Sequence, residues 1–117
     1  VGRYWSAPTS DPSAPAPHST GGAVDLTLRW KDGEPLWMGS LFDDATSIAH
    51  RDYFEREDTV RGFSDEEARG NRRLMHWLMH DAGFAGYYEE WWHFSYGDQY
   101  WAGTGNAPAA LYGLAKD

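Results

Sequence analysis

The chain has 117 residues, 41% of them hydrophobic and 16% aromatic, a size and composition that suit one domain with a substantial core. Its formal net charge of −8 argues against nucleic acid and against an anionic membrane surface as partners, and no apolar run approaches the roughly 20 residues of a membrane-spanning helix. The chain has no cysteine, which excludes disulfides and thiolate chemistry, so any metal site must use His, Asp or Glu.

The first half of the chain predicts a loop followed by a short hairpin. Residues 6–22 are rich in proline, which helix interiors and central strands exclude, and residues 6–15 are interpreted as a flexible linker. Residues 24–30 alternate between apolar and polar side chains and predict a strand. The Asp-Gly sequence within residues 31–34 predicts a turn, and residues 35–39 can return as a partner strand that starts at a sheet edge because of Pro35.

The second half predicts one helix and one strand. Residues 64–82 carry an apolar stripe at helical spacing, with Ser64 and Glu67 in a capping-box pattern and Gly83 as the stop signal. Residues 87–96 are rich in aromatic side chains and predict a second long strand. The segment from residue 104 onward is rich in Gly and Ala and is expected to fray. Leu111 and Tyr112, two large apolar residues within it, are the expected exception.

Four polar side chains in these segments could form a metal centre. His18 lies in a loop before the first strand, Asp25 lies within that strand, and Glu90 and His93 lie in the aromatic strand. On a regular strand Glu90 and His93 would point to opposite faces, so they reach one site only if the backbone bulges. The ordinary alternatives are a solvated Asp25, an accidental loop histidine, and an aromatic core strand with an exposed Glu90 and a hydrogen-bonded His93.

Taken together, these residues have the composition of a hydrolytic zinc site. Two imidazoles and one carboxylate leave an open position on zinc, where a bound water becomes more acidic. Glu90, as a carboxylate that is not a ligand, could then accept a proton and pass it to a leaving amine. A rival pair, His76 and His80, sits one helical turn apart. Zinc proteases with that spacing carry Glu after the first His, where this chain has Trp77, so structural or solvent-facing roles are expected for the pair.

Several segments of the chain resemble one known family. The sequences "HSTGGAVDLTL" and "EWWHFSYGDQYWA" resemble the two signature segments of the D-alanyl-D-alanine dipeptidases, the VanX-type zinc peptidases. That family carries S-x-H-x-x-G-x-A-x-D and, later, E-x-x-H. The intervening "MGSLFD" and "NRRLMHWLMHDAGF" are also similar to family segments. The resemblance covers residues 16–102, which form the core of a single zinc peptidase domain spanning residues 1–117.

The resemblance implies a fold, a site and a reaction. It implies a small α+β fold, with an antiparallel sheet flanked by helices and the zinc site on the sheet. It implies that His18, Asp25 and His93 bind one Zn²⁺, that Glu90 is the general base and acid, and that Asp43 lies near the free amino group of the substrate. The implied reaction is hydrolysis of a small D,D-dipeptide from peptidoglycan precursors, in the cytoplasm rather than outside the cell.

The chain also departs from the family pattern. The family's Ser two residues before the first His is Ala16 here, and Ser19 is the candidate replacement as a substrate contact. The family is longer at the N-terminus, so these residues are interpreted as its C-terminal catalytic portion. The additional part brings an arginine that stabilises the oxyanion, and Arg3 is too close to His18 to match it. Since losing such a donor costs about 10²–10³ in rate, the chain is expected to bind zinc but to hydrolyse D-Ala-D-Ala slowly.

Other functions are compatible with the same residues. One is a D,D-carboxypeptidase or another peptidoglycan peptidase, because related folds share the metal triad. Another is a non-catalytic zinc-binding module that recognises cell-wall peptides, although a pure binder has no need of Glu90. A third is an aromatic-rich structural domain without a metal. These alternatives differ in metal content, in the need for Glu90, and in whether the substrate's amine must be free.

Overall fold

The protein folds around a small antiparallel sheet, described for residues 11–116 in a computed structural model. The strands are β1 (Ala23–Asp25), β2 (Ala85–Tyr87) and β3 (Glu90–Ser95), in the spatial order β1-β3-β2. The helices are α1 (Phe63–Asp81) and α2 (Gln99–Thr104), with short 3-10 helices at Pro17–Thr20, Ser47–Ala49 and Tyr53–Glu55. Both α1 and α2 contact β2. The α+β class and the antiparallel sheet flanked by helices are therefore confirmed.

The central strand β3 contains a bulge. Gly86 pairs with Phe94, but its neighbour Tyr87 pairs with Glu90, so the intervening residues of β3 have no partners on β2. Glu90 is half-buried and the rest of β3 is buried, where a regular strand would alternate between buried and exposed side chains. The irregular backbone that a shared site for Glu90 and His93 requires is therefore present.

The hydrophobic core lies between β3, α1 and the loop that follows β1. Its buried cluster consists of Met38, Ala49, Met75, Trp91, Trp92 and Phe94. The Trp91 indole nitrogen donates a hydrogen bond to the Ser40 hydroxyl at 2.8 Å, so this buried polar group is satisfied. The two tryptophan rings meet edge to face, with centroids 5.2 Å apart. Core packing of Trp91, Trp92 and Phe94 therefore fixes β3, the strand that also carries Glu90 and His93.

The bounds of α1 differ slightly from the prediction. The helix begins at Phe63 with Gly62 as its N-cap, and no side chain caps it, so the predicted capping box of Ser64 and Glu67 is wrong. Gly83 has a φ of 91° and its N–H bonds to the His80 carbonyl, which confirms the predicted stop. The C-terminal end of the helix could be predicted because the left-handed backbone conformation of residue 83 favours glycine.

Both predicted long strands are wrong in extent. β1 ends at Asp25 instead of continuing to residue 30, and Trp30 is 63% exposed. The Asp-Gly turn does form, since the Trp30 N–H bonds to the Glu34 carbonyl, but its arms form only an isolated bridge between Arg29 and Pro35. The predicted strand at residues 87–96 is split by a turn at residues 88–89 into β2 and β3.

The two ends of the described chain contact the domain. Residues 6–10 of the predicted linker lie outside the described residues, whereas Pro15 is buried and the Ser13 carbonyl accepts a hydrogen bond from the Gln99 side chain. Near the other end, the N–H groups of Leu111 and Tyr112 both donate hydrogen bonds to the Gly97 carbonyl. These are the two residues that were expected not to fray. Between residues 11 and 116, every helix is too short or too polar to cross a bilayer.

Arg72 joins α1 to the loop that contributes to the core. Its buried guanidinium donates to the carbonyls of Met38 at 2.6 Å, Ile48 at 2.7 Å and His50 at 2.8 Å. The group also lies 4.7 Å over the Phe54 ring. Burial lowers the pKa of Arg72 to about 10, so the side chain remains charged at neutral pH.

We predict that Arg72→Met destabilises the protein by about 3 kcal/mol or more, because it leaves three carbonyls without their donors. Arg69→Met is the matched control on the same helix. Arg69 forms a long, 4.0 Å ion pair with an exposed Glu66, so its loss should change stability by less than about 0.5 kcal/mol. Urea denaturation measures both variants. Similar losses in the two would contradict the role of Arg72.

Candidate metal centre

Strand pairing brings Asp25 and His93 together. They are direct partners in the antiparallel register of β1 and β3, and directly opposed residues project from the same face of a sheet. The His93 Nδ1 atom lies 3.1 Å from the Asp25 Oδ1 atom. These two side chains therefore meet because of backbone register, not through a flexible loop.

His18 reaches the same carboxylate from the 3-10 helix before β1. Gly21 is the C-cap of that helix, and its φ of 71° turns the chain towards β1, which begins two residues later. The His18 Nε2 atom lies 3.4 Å from the Asp25 Oδ1 atom, and its ring meets the His93 ring nearly at right angles with centroids 4.8 Å apart. Both imidazoles thus converge on one oxygen of Asp25.

The three side chains form a donor set that fits zinc. Their ligand atoms all lie within 4.8 Å of one another, and within residues 11–116 no other group of three or more His, Asp or Glu does so. Tetrahedral zinc with bonds of about 2.0–2.2 Å requires its ligand atoms to be roughly 3.3 Å apart, close to the 3.1 and 3.4 Å seen here. The side chains of His18, Asp25 and His93 are 48%, 30% and 8% exposed, so the cluster opens to solvent on one side.

Glu90 lies beside this cluster without replacing any of its members. The β3 bulge brings its Oε2 atom to 3.7 Å from the His93 Nδ1 atom. Burial raises the pKa of the Glu90 carboxyl; His93 and His18 oppose this rise, while the nearby charges of Asp25 and Asp43 add to it. A carboxyl with a raised pKa, next to a metal-type donor set, holds a proton more readily than an ordinary carboxyl and can both accept and return it.

A cavity of about 360 Å³ adjoins Glu90 and His93. Tyr87 lines it from β2, with its ring centroid 5.6 Å from that of His93. Burial, with the charges of Glu89 and Glu90, raises the pKa of the Tyr87 phenol, which therefore stays protonated at neutral pH. Sequence reasoning missed Tyr87 because the hairpin that turns it towards Glu90 was not predicted.

Ser95 is a second polar residue that sequence reasoning missed. Its hydroxyl lies 3.2 Å from the His93 Nε2 atom, and the residue is fully buried. It follows His93 by two positions on β3, and residues at that spacing project from the same face of a strand. That spacing was the available signal, and it would have marked Ser95 as a neighbour of a presumed ligand.

The two predicted substrate contacts are Asp43 and Ser19. Asp43 has a φ of 63°, a left-handed backbone conformation that is unusual for residues other than glycine. Its charge raises the pKa of Glu90. Ser19 is exposed and follows His18 in the same 3-10 helix. Their roles towards a substrate stay predictions.

The rival histidine pair lacks a third ligand. The rings of His76 and His80 stack with centroids 5.9 Å apart, and no carboxylate of the described chain completes a three-ligand group with them. Burial lowers the pKa of His76, and the positive charge of Arg51 reinforces this. A neighbouring cation also disfavours a bound metal ion. His50 instead packs against Tyr88, with ring centroids 5.1 Å apart.

The charges that act on the pKa of Glu90 come from acidic and imidazole side chains. His18, Asp25, Asp43 and His93 act on its pKa, and no arginine or lysine of residues 11–116 is among these groups. Arg3, which the sequence did not match to the family's oxyanion arginine, lies outside the described residues. The described site thus holds a metal-type donor set with a carboxylate beside it, and Arg51, Arg72 and Arg73 line the adjoining cavity.

The fold and site define a small α+β domain with a candidate three-ligand metal centre and an adjacent carboxylate, an arrangement typical of hydrolases. The chain belongs to the peptidase family described as D-ala-D-ala dipeptidase, whose profile matches residues 1–107. The resemblance stated from the signature segments is therefore confirmed.

Individual relatives carry the same description. The chain is 39% identical to a D-alanyl-D-alanine dipeptidase of Synechocystis sp. over 108 residues, which are 87% of the chain and 42% of the relative. It is also 39% identical to those of Enterococcus faecalis, over 70% of the chain and 37% of the relative, and Escherichia coli, over 66% and 36%. The chain thus spans about two fifths of the length of these curated relatives.

The backbone at Asp43 leads to a stability prediction. We predict that Asp43→Gly is more stable than Asp43→Ala by about 1 kcal/mol, because only glycine adopts a positive φ without steric cost. The same two substitutions at Asp44 are the control: Asp44 is not among the described residues with positive φ, so alanine there should be at least as stable as glycine. Denaturant unfolding of the four variants measures the order, and the same order at both positions would contradict the strain at Asp43.

Proposed function

We propose that the chain forms the zinc-binding part of a D,D-dipeptidase that hydrolyses D-alanyl-D-alanine-type dipeptides. The observation that carries this proposal is the convergence of His18, Asp25 and His93 within 4.8 Å, with the Glu90 carboxylate 3.7 Å from His93. The membership of the family and the names of the relatives support the choice of substrate.

The metal would be held by His18 Nε2, Asp25 Oδ1 and His93 Nδ1, the atoms that converge in the site. When bound, zinc supplies a Lewis acid that polarises the scissile carbonyl and makes a bound water acidic near neutral pH. Two neutral imidazoles and one carboxylate leave a net positive charge on such a centre. That charge suits a site that must bind a peptide carbonyl.

Glu90 would carry the proton through the reaction. Its carboxylate accepts the proton of the attacking water and then donates it to the amine nitrogen that leaves when the peptide bond breaks. The 3.7 Å separation from His93 places Glu90 beside the donor set, where its carboxylate would face a metal-bound water. Burial supports this role because it raises the pKa of the carboxyl towards the working pH.

The remaining polar residues fit a small substrate with a free amino group. The exposed carboxylate of Asp43, close enough to influence Glu90, would pair with the substrate's ammonium, and Ser19 would contact the substrate beside His18. The cavity next to Glu90 and His93 offers space for a dipeptide. We further propose peptidoglycan precursors as the source of the substrate and the cytoplasm as the location, both of which rest on the family resemblance.

We predict that the purified chain binds one zinc ion and is stabilised by it, since a ligand that binds only the folded state raises stability. His18→Ala should weaken zinc binding by at least about 100-fold, because removing a direct ligand costs more than removing an outer-shell partner. His80→Ala is the matched control and should leave zinc affinity unchanged. Competition with a chromogenic chelator measures all three, and equal weakening by the two substitutions would contradict the assigned site.

We predict that Glu90→Gln retains zinc affinity within a few-fold but loses about 10²–10⁴ in the rate of D-Ala-D-Ala hydrolysis, because the amide cannot accept the proton. Release of free D-alanine from the zinc-loaded chain measures the rate. N-acetylated D-Ala-D-Ala is the comparison substrate, and it should be cleaved poorly if Asp43 binds a free amine. Unchanged hydrolysis by Glu90→Gln would contradict its role, and equal cleavage of both substrates would favour a D,D-carboxypeptidase.

A further inference from the structure

His93 engages both of its ring nitrogens. Nδ1 faces the Asp25 carboxylate at 3.1 Å and Glu90 at 3.7 Å, on the side where the donor atoms converge. Nε2 faces the Ser95 hydroxyl at 3.2 Å, on the buried side. The ring therefore has one nitrogen directed to the metal-type cluster and the other directed to a neutral hydroxyl.

Ser95 is buried in the central strand of the sheet, and its backbone is paired on both sides. Its backbone pairs with Ala23 of β1 and with Ala85 of β2, so the residue is fixed from both sides in the centre of the sheet. It has no exposed surface, and a buried hydroxyl requires a hydrogen-bond partner. Of the side chains between residues 11 and 116, His93 is the one that provides it.

We propose that Ser95 is a positioning residue for the metal ligand His93. This inference rests on the proposed zinc site and adds to it the group that sets which nitrogen of His93 binds. When the Ser95 oxygen accepts the Nε2–H, the lone pair of His93 lies on Nδ1 and points towards Asp25. Outer-shell partners of this kind fix both the tautomer and the ring orientation of a ligating histidine.

A hydroxyl has an advantage over the usual outer-shell partners, which are carboxylates and backbone carbonyls. Those groups only accept a hydrogen bond, whereas a serine hydroxyl can either donate or accept. Without a metal, Nδ1–H donates to Asp25 and the Ser95 hydroxyl donates to Nε2. With a metal on Nδ1, the proton resides on Nε2 and the Ser95 oxygen accepts it. His93 thus remains hydrogen-bonded in both states, and its ring is oriented before the metal arrives.

The substitution Ser95→Ala tests the proposal against a matched control. Ser40 is also a buried serine, but its hydroxyl accepts a hydrogen bond from the Trp91 indole and not from a ligand of the cluster. We predict that Ser95→Ala weakens zinc binding about 10–100-fold, whereas Ser40→Ala leaves zinc affinity unchanged at a comparable loss of stability. Ser95→Thr, which retains the hydroxyl, should restore affinity. The visible spectrum of bound Co²⁺ should change with Ser95→Ala alone, because only that substitution frees the His93 ring.

A measurement on the unsubstituted chain decides the matter even if Ser95→Ala does not fold. Long-range proton–nitrogen NMR spectra of the zinc-loaded chain should place the His93 proton on Nε2. Equal zinc affinity with and without the Ser95 hydroxyl would overturn the proposal and leave the zinc site intact. A proton on Nδ1 in the zinc-loaded chain would overturn both the proposal and the assignment of Nδ1 as the zinc-binding atom of His93. Failure of the unsubstituted chain to bind zinc would instead overturn the proposed function and this inference with it.

Discussion

The antiparallel pairing of Asp25 with His93 is the constraint on which the candidate site depends. It joins two residues that are distant in sequence, and it directs their side chains to the same face of the sheet at 3.1 Å. A shift of one residue in this register would turn every side chain of β1 to the other face. Leu26 and Leu28, which follow β1, oppose such a shift, because it would break their packing against the buried core cluster. The hydrophobic core therefore fixes the polar site.

The bulge in β3 solves a second geometric problem. Glu90 and His93 are three residues apart, an odd spacing that a regular strand would divide between its two faces. Because Tyr87 pairs with Glu90 directly after Gly86 has paired with Phe94, the intervening chain departs from the ladder and lets both side chains serve one site. This segment has no partner on β2, but it still pairs with β1 through His93 and through the Trp92 carbonyl, and Trp91 and Trp92 are buried. Aromatic packing thus supplements the pairing with β1 where the ladder to β2 is interrupted.

The sequence was most informative where chemistry requires particular residue types. His18, Asp25 and His93 could be selected because metal ligands are few in kind, and the odd spacing of Glu90 and His93 predicted the bulge. Strand extents and the β2–β3 hairpin were not predictable, because the turn at residues 88–89 has no glycine, asparagine or proline to mark it. Tyr87 was missed because the unpredicted hairpin is what brings it next to Glu90. Strand extents and register depend on tertiary packing, which the periodicity of a sequence does not reveal.

The electrostatic arrangement explains why this cluster suits a cation. Asp25, Glu90 and Asp43 bring three carboxyl groups near two imidazoles, in a chain whose net charge is −8. Burial, Asp25 and Asp43 raise the pKa of Glu90, which means that the site resists holding all of its negative charges at once. A divalent cation between His18, Asp25 and His93 would relieve this repulsion and would leave Glu90 ionised and able to accept a proton. In the proposed site, metal binding and proton transfer would therefore be coupled through the same carboxylates, and Asp25, which both imidazoles approach, would be the group that joins them.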